Sequence, residues 1–191
     1  MNMTNRMRTF ATAAAPVWGA VGLSLIVSAC SSSPTTPSTL TLEAQLEKVR
    51  AATAKYQNVA AALADGFVAP PTCASSAGQG AGGYHYTNPS RVDGRVTAEE
   101  PETLLYIPEG GDLRLVAVEY FVPVVMDGVP YFGATIPATP GVTPQVFGRD
   151  LDGPMAGHNP TMPWHWDLHV WIWRSNPAGT FSPWNPDLSC S

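Results

Sequence analysis

Asp112-Leu113-Arg114-Leu115-Val116-Ala117-Val118-Glu119-Tyr120-Phe121-Val122 is the stretch on which the fold turns. β-Branched and aromatic residues dominate it, and neither Pro nor Gly interrupts it, so it reads as a strand. Pro108-Glu109-Gly110-Gly111 immediately before it is turn chemistry, and Thr103–Ile107 beyond that turn has the same strand character. The two segments are therefore expected to pair antiparallel. Further along, Val129–Phe132 follows the turn Met126-Asp127-Gly128, and Trp164–Arg174 is a fourth strand-like run. Between them, Ile136 to Pro163 is rich in Pro and Gly without periodicity, the mark of a long functional loop or lid. Asp150-Leu151-Asp152-Gly153 opens like a calcium loop but lacks the later ligands.

Upstream of the strands lies a helical pattern. Thr39 or Thr41 can cap a helix running from Leu42 to Ala64, and Leu42, Leu46, Val49, Tyr56, Val59, Ala60 and Leu63 recur at three- and four-residue spacing. Asp65-Gly66 supplies a left-handed stop. Gly78-Gln79-Gly80-Ala81-Gly82-Gly83 reads as a flexible run into Tyr84-His85-Tyr86, not as a phosphate loop, because no helix with Lys or Ser/Thr follows it. The expected fold is α+β: an N-terminal amphipathic helix packed on a curved, mainly antiparallel sheet or partial barrel.

The first residues carry an address. Arg6 and Arg8 precede an apolar run from Phe10 to Val27, which ends in Val27-Ser28-Ala29-Cys30. The charge, the short apolar region and the small residues at the cut define a secretory signal, and the final four residues fit the bacterial lipobox. The organisation expected is a lipoprotein signal peptide at 1–29, a lipidated tether at 30–39 and one globular domain at 40–191. Cys30 is the expected lipidation site, and the protein is expected in the bacterial cell envelope, lipid-anchored on the extracytoplasmic side of a membrane. Two or three acyl chains hold firmly, since each buried methylene contributes about 0.8 kcal/mol.

The chain has 191 residues and a formal charge of −5. It has no basic run, which excludes nucleic acid as a natural partner. One domain leaves no room for the two lobes of a transport receptor. Beyond Cys30 only Cys73 and Cys190 remain, and outside the cytoplasm such a pair is expected to form a disulfide. Closing so long a loop stabilises a fold by about 4–5 kcal/mol in the chain-entropy picture.

The chemistry-bearing residues cluster in a few segments. In Trp164-His165-Trp166-Asp167-Leu168-His169-Val170-Trp171-Ile172-Trp173, strand alternation puts His165, Asp167, His169, Trp171 and Trp173 on one face. His165 and His169 are about 13 Å apart along an ideal strand, so one ion takes Asp167 with one of them and draws its other ligands from elsewhere. Glu119 interrupts an apolar run on the face of Leu113, Leu115, Ala117 and Phe121, a costly place for an unpaired charge. His85, Glu119 and His169, with Asp167 beside them, make a set suited to a divalent transition metal, Zn, Cu, Fe or Mn. His158, in the long loop, can close over such a site. Two other readings stand beside this one: a structural network in which Glu119 pairs with Arg114, Arg149 or Arg174, and an acid/base pair without metal. Five of the six tryptophans fall between Trp164 and Trp184, and an exposed strip of Trp171, Trp173 and Trp184 is what stacking on a glycan requires.

Several segments together resemble a family of small exported bacterial proteins and lipoproteins without an assigned activity. They are Ala62–Phe67, Gly83-Tyr84-His85-Tyr86 with Asn88-Pro89, Pro101-Glu102 through Leu105-Tyr106, Leu115–Tyr120, Leu168–Trp173, and Asn176-Pro177 with Gly179, Phe181 and Asn185-Pro186. The resemblance spans roughly Tyr56 to Pro186. It places His85, Glu119 and His169 in the signature segments, leaves His158 and His165 outside them, and implies no reaction. The expected function is a membrane-anchored lipoprotein binding a metal ion or small ligand through the His/Glu cluster. The alternative is a non-enzymatic cell-envelope or glycan-binding module whose polar cluster is structural.

Overall fold

The computed structural model describes residues 40–191. The expected signal peptide, the lipidation of Cys30 and the tether lie outside the described residues. Among the described residues no helix is long and apolar enough to cross a membrane.

The helical segment is shorter and more broken than its periodicity predicts. Thr41 caps α1 (Leu42–Thr53), its hydroxyl accepting from the Ala44 N–H at 3.3 Å. A tight 3-10 turn (Ala54–Gln57) follows, and Asn58 starts a new short helix, α2 (Val59–Ala64), by accepting from the Ala60 N–H at 3.0 Å. The change of pitch rotates the apolar stripe. Leu46, Val49 and Tyr56 are buried as expected, but Leu42 and Leu63 are exposed and Ala62 is buried in Leu63's stead. Gly66, at φ +91°, ends the segment.

The strands are β1 (Ala74–Ser76), β2 (Gly80–Thr87), β3 (Thr103–Glu109), β4 (Asp112–Pro123), β5 (Val125–Met126), β6 (Val129–Pro130), β7 (Gln145–Val146), β8 (Arg149–Asp150), β9 (Asp152–Met155) and β10 (His165–Val170). Six form one antiparallel sheet in the order β1-β2-β3-β4-β10-β9, curled into a half-barrel, while β5-β6 and β7-β8 are separate hairpins. The curled antiparallel sheet is as expected, but the fold is mainly β rather than α+β. Besides the short β1 and β5, two segments supply the extra strands. The glycine run is part of β2, and the irregular stretch from Ile136 to Pro163 contains β7, β8 and β9. The expected run Trp164–Arg174 is cut short, and β10 stops at Val170.

The glycines of β2 serve backbone approach, not flexibility. A Cβ on Gly80 would stand 1.9 Å from the Asn185 carbonyl oxygen, and one on Gly83 would stand 2.6 Å from that of Tyr106. Ala81 and Asn185 exchange backbone hydrogen bonds of 3.1 Å each. The segment carrying Asn185 runs on to Cys190, which is joined to Cys73 by the expected disulfide.

A bulge sets which residues face which way. Leu105 pairs with Ala117 but Tyr106 pairs with Leu115, so Val116 is the extra residue. Its carbonyl accepts from the N–H groups of Trp173 and Arg174, at 3.2 and 3.1 Å. Past the bulge the alternation shifts by one. Leu113 and Leu115 lie with Val118, Tyr120 and Val122 in the core beneath the helices, while Ala117, Glu119 and Phe121 face the other way. Glu119 is thus not on the face of Leu113 and Leu115, as a uniform strand period predicts. The helix-side core also takes Leu104, Tyr106, Trp166, Leu168 and Val170. Tyr106 donates its hydroxyl to the Tyr56 carbonyl at 2.7 Å, and Arg50 Nε donates to that of Ile172 at 2.8 Å, pinning helix to sheet.

Candidate metal centre

The concave face carries the polar residues. Glu119 on β4 stands directly across from Thr103 on β3 and from His169 on β10. His85 comes from β2, three strands away from β10. In a flat sheet that separation is about 14 Å. Here the Nε2 atoms of His85 and His169 are 3.1 Å apart, so the curl of the sheet creates the site. His85 Nε2 lies 3.8 Å from Glu119 Oε2, and one ligand atom from each of the three residues falls within 4.8 Å of the others.

His85 is held in one tautomer. Its Nδ1 is 3.0 Å from the Gly83 carbonyl oxygen, which can only accept, so the proton is assigned to Nδ1 and Nε2 turns a lone pair inward. A metal-ligating histidine is oriented by this kind of outer hydrogen bond. Four-coordinate bonds of about 2.1 Å spread neighbouring ligand atoms by roughly 3.4 Å, between the two separations observed around His85 Nε2. The indole of Trp184 and His85 both crowd Gly82, where a Cβ would meet them at 3.1 and 3.2 Å.

Burial governs the charges. Desolvation, reinforced by His85, pushes the His169 imidazolium pKa down to about 3. Desolvation likewise pulls His85 down against the help of the Gly83 carbonyl. Burial pushes the Glu119 carboxyl well above its ordinary value, with Asp167 and Glu102 adding to the rise and Thr103 opposing it. Without a cation the triad therefore holds two neutral imidazoles and favours a protonated carboxyl. Such a set can hold a proton or, having lost it, a divalent ion.

The arginines named as structural partners for Glu119 are engaged elsewhere. Arg114 pairs with Asp112 at 3.9 Å, Arg174 with Glu109 at 2.9 Å, and the Arg149 guanidinium sits 4.3 Å from the Phe181 ring centroid. Among the described residues no Lys or Arg forms an ion pair with Glu119. Asp167 shares the face but stands one step further along β10, outside the triad, with its Oδ2 3.5 Å from His165 Nε2. Burial alone would raise Asp167; contact with His165 and the neighbouring histidines outweighs it and holds the carboxylate below its ordinary range. His158 meets His165 edge-on, with ring centroids 5.1 Å apart, rather than covering the triad.

The tryptophan strip required for glycan stacking is not present as an exposed surface. Trp171 is 4% exposed and donates its indole N–H to the Ser182 carbonyl at 2.6 Å, while Trp173 crosses to the helix side and donates to Thr53 at 3.2 Å. A further buried acid, Glu102, lies outside the triad and is 1% exposed. It accepts from the Phe121 N–H at 3.1 Å, and burial pushes its pKa up to about 7. A charged residue opening the apolar run Thr103–Ile107 was the one local signal for it.

Comparison with protein-family models, with curated proteins and with solved structures finds no match to this chain.

Proposed function

We propose that the chain is a cell-envelope lipoprotein, anchored through Cys30, whose domain binds one divalent transition ion at His85, Glu119 and His169. The observation that carries the metal reading is the convergence of three donors from three strands, Glu119 and His169 buried and His85 half-buried, with no Lys or Arg paired to Glu119 among the described residues and with the tautomer of His85 already set for ligation. Two imidazoles and a carboxylate suit Zn, Cu, Fe or Mn and leave a coordination position for a small ligand. Burial raises the affinity of Glu119 for a proton, so proton and ion compete for the same carboxylate and metal uptake weakens as pH falls. The sequence supports the anchor; no reaction is assigned.

The test is elemental analysis of the full chain purified with and without added Zn(II), alongside His85→Ala, His169→Ala and Cys30→Ala. At least one equivalent is expected, lost in both histidine variants, and Cys30→Ala should abolish partition into detergent. Substoichiometric metal that is unchanged in His85→Ala or His169→Ala overturns the metal reading and leaves the cluster a structural network. A Cys30→Ala chain that still partitions with membranes overturns the anchor.

A further inference from the structure

One buried polar atom on the concave face lacks a role in the triad. His165 is fully buried, and its Nε2 has no hydrogen-bond partner. Its other nitrogen, Nδ1, lies 2.9 Å from the Pro163 carbonyl oxygen and so carries the proton. Nε2 is then a buried lone pair without a partner, a costly state for a polar atom. It faces another acceptor, Asp167 Oδ2, at 3.5 Å. A protonated histidine paired with a carboxylate closes to roughly 2.7–2.9 Å, so the gap is too wide for a charge-assisted hydrogen bond. It is also too narrow for a water between the two atoms. Metal bonds of about 2.1 Å at a tetrahedral angle span roughly 3.4 Å, which is the gap observed.

The surroundings fit the same reading. Phe121 stacks on the His165 ring with centroids 4.8 Å apart and holds its orientation. His158, on the exposed loop before β10, stands edge-on to the same ring with centroids 5.1 Å apart, which brings a further imidazole donor next to His165. A carboxylate beside a buried imidazole, with a second imidazole on the adjoining loop, is a partly built site.

We propose that the concave face binds a second divalent cation, held by His165 Nε2 and the Asp167 carboxylate and closed from the loop by His158. This site uses none of the three ligands of the triad, so it stands or falls separately from the proposed function.

The experiment is titration of the chelator-stripped full chain with Zn(II), followed by calorimetry and elemental stoichiometry, and with Co(II), followed by its visible absorption. The native chain should take two equivalents. His165→Phe, which keeps a ring against Phe121, should take one, and Glu119→Gln should take one of the other class. His158→Ala, an exposed change that leaves the core alone, should weaken the second class by about tenfold or more, and it carries the test where His165→Phe does not fold. A single equivalent that is lost in Glu119→Gln but survives both His165→Phe and His158→Ala overturns the second site and leaves the triad standing. A single equivalent with the reverse pattern supports the second site and overturns the triad. No binding at all overturns both.

Discussion

The two faces of this sheet are made from the same strands and differ in almost everything else. On the helix side, Leu104, Tyr106, Val118, Tyr120, Leu168 and Val170 are buried against α1 and the turn after it, and the Tyr106 hydroxyl is satisfied by a backbone carbonyl. On the concave side, the residues interleaved with these include Glu119, His165, Asp167 and His169, all buried, and His165 Nε2 has no hydrogen-bond partner, as Trp166 Nε1 has none on the helix side. Burial of hydrocarbon stabilises the first face. Burial of titratable groups disfavours folding on the second, because ionised groups lose their hydration. The comparison teaches that one side of the sheet maintains the fold, while the other carries a cluster whose burial works against folding, a cost that the proposed ion would offset.

The largest effect separates the faces by adjacent residues. Leu168→Ala should lower unfolding free energy by about 2–5 kcal/mol in urea denaturation. Glu119→Gln, which replaces a buried acid by a neutral isostere, should leave the metal-free chain within about 1 kcal/mol of the parent. Equal losses in the two variants would break the distinction between a supporting face and a binding face.

A second prediction sharpens it through pH. Folding raises Glu102 from its ordinary 4.5 to about 7, so the folded chain keeps a proton that the unfolded chain has released. This contribution falls away as pH rises from about 4.5 to about 7, by something on the order of 3 kcal/mol. His169 has the opposite sign: its folded value near 3 against an ordinary 6.5 makes stability fall as pH drops through that interval. Glu102→Gln keeps an oxygen for the Phe121 N–H and should remove the first slope while leaving the second. Unfolding curves at pH 4.5, 6 and 7.5 that match the parent's would show that Glu102 ionises without cost.

The smallest effect lies on the helix side. Thr41→Ala removes the cap of α1 and should cost about 1 kcal/mol by thermal melting. Zn(II) affinity should stay as it was, since the helix packs on the opposite face. A change in affinity would mean that the two faces are coupled through the sheet.

Much of the architecture is legible in short patterns. The pairing of β3 with β4 follows from Pro108-Glu109-Gly110-Gly111 between two apolar runs, and the Cys73–Cys190 bridge follows from cysteine number. Glu119 stood out because a charge in an apolar strand needs an explanation, and His169 because it alternates with core residues. Other features depend on parts of the chain far away. Nothing in Leu115-Val116-Ala117 announces an extra residue; the bulge is anchored by Trp173 and Arg174. Gly80 and Gly83 look flexible until Asn185 and Tyr106 are placed against them. The curl that joins His85 to His169 is a property of the whole sheet, and no local spacing encodes it.

That curl has a consequence for the order in which the chain becomes competent. His85 and His169 are separated by 84 residues, and β10 follows all the other described strands in chain order. A chain grown as far as β4 already holds His85 and Glu119 on neighbouring parts of one sheet, yet it has neither the third donor nor the pairing that places it. An ion held as proposed would therefore report that β10 has paired with β4 in its register, and a chain in which that pairing has not formed would lack the third donor.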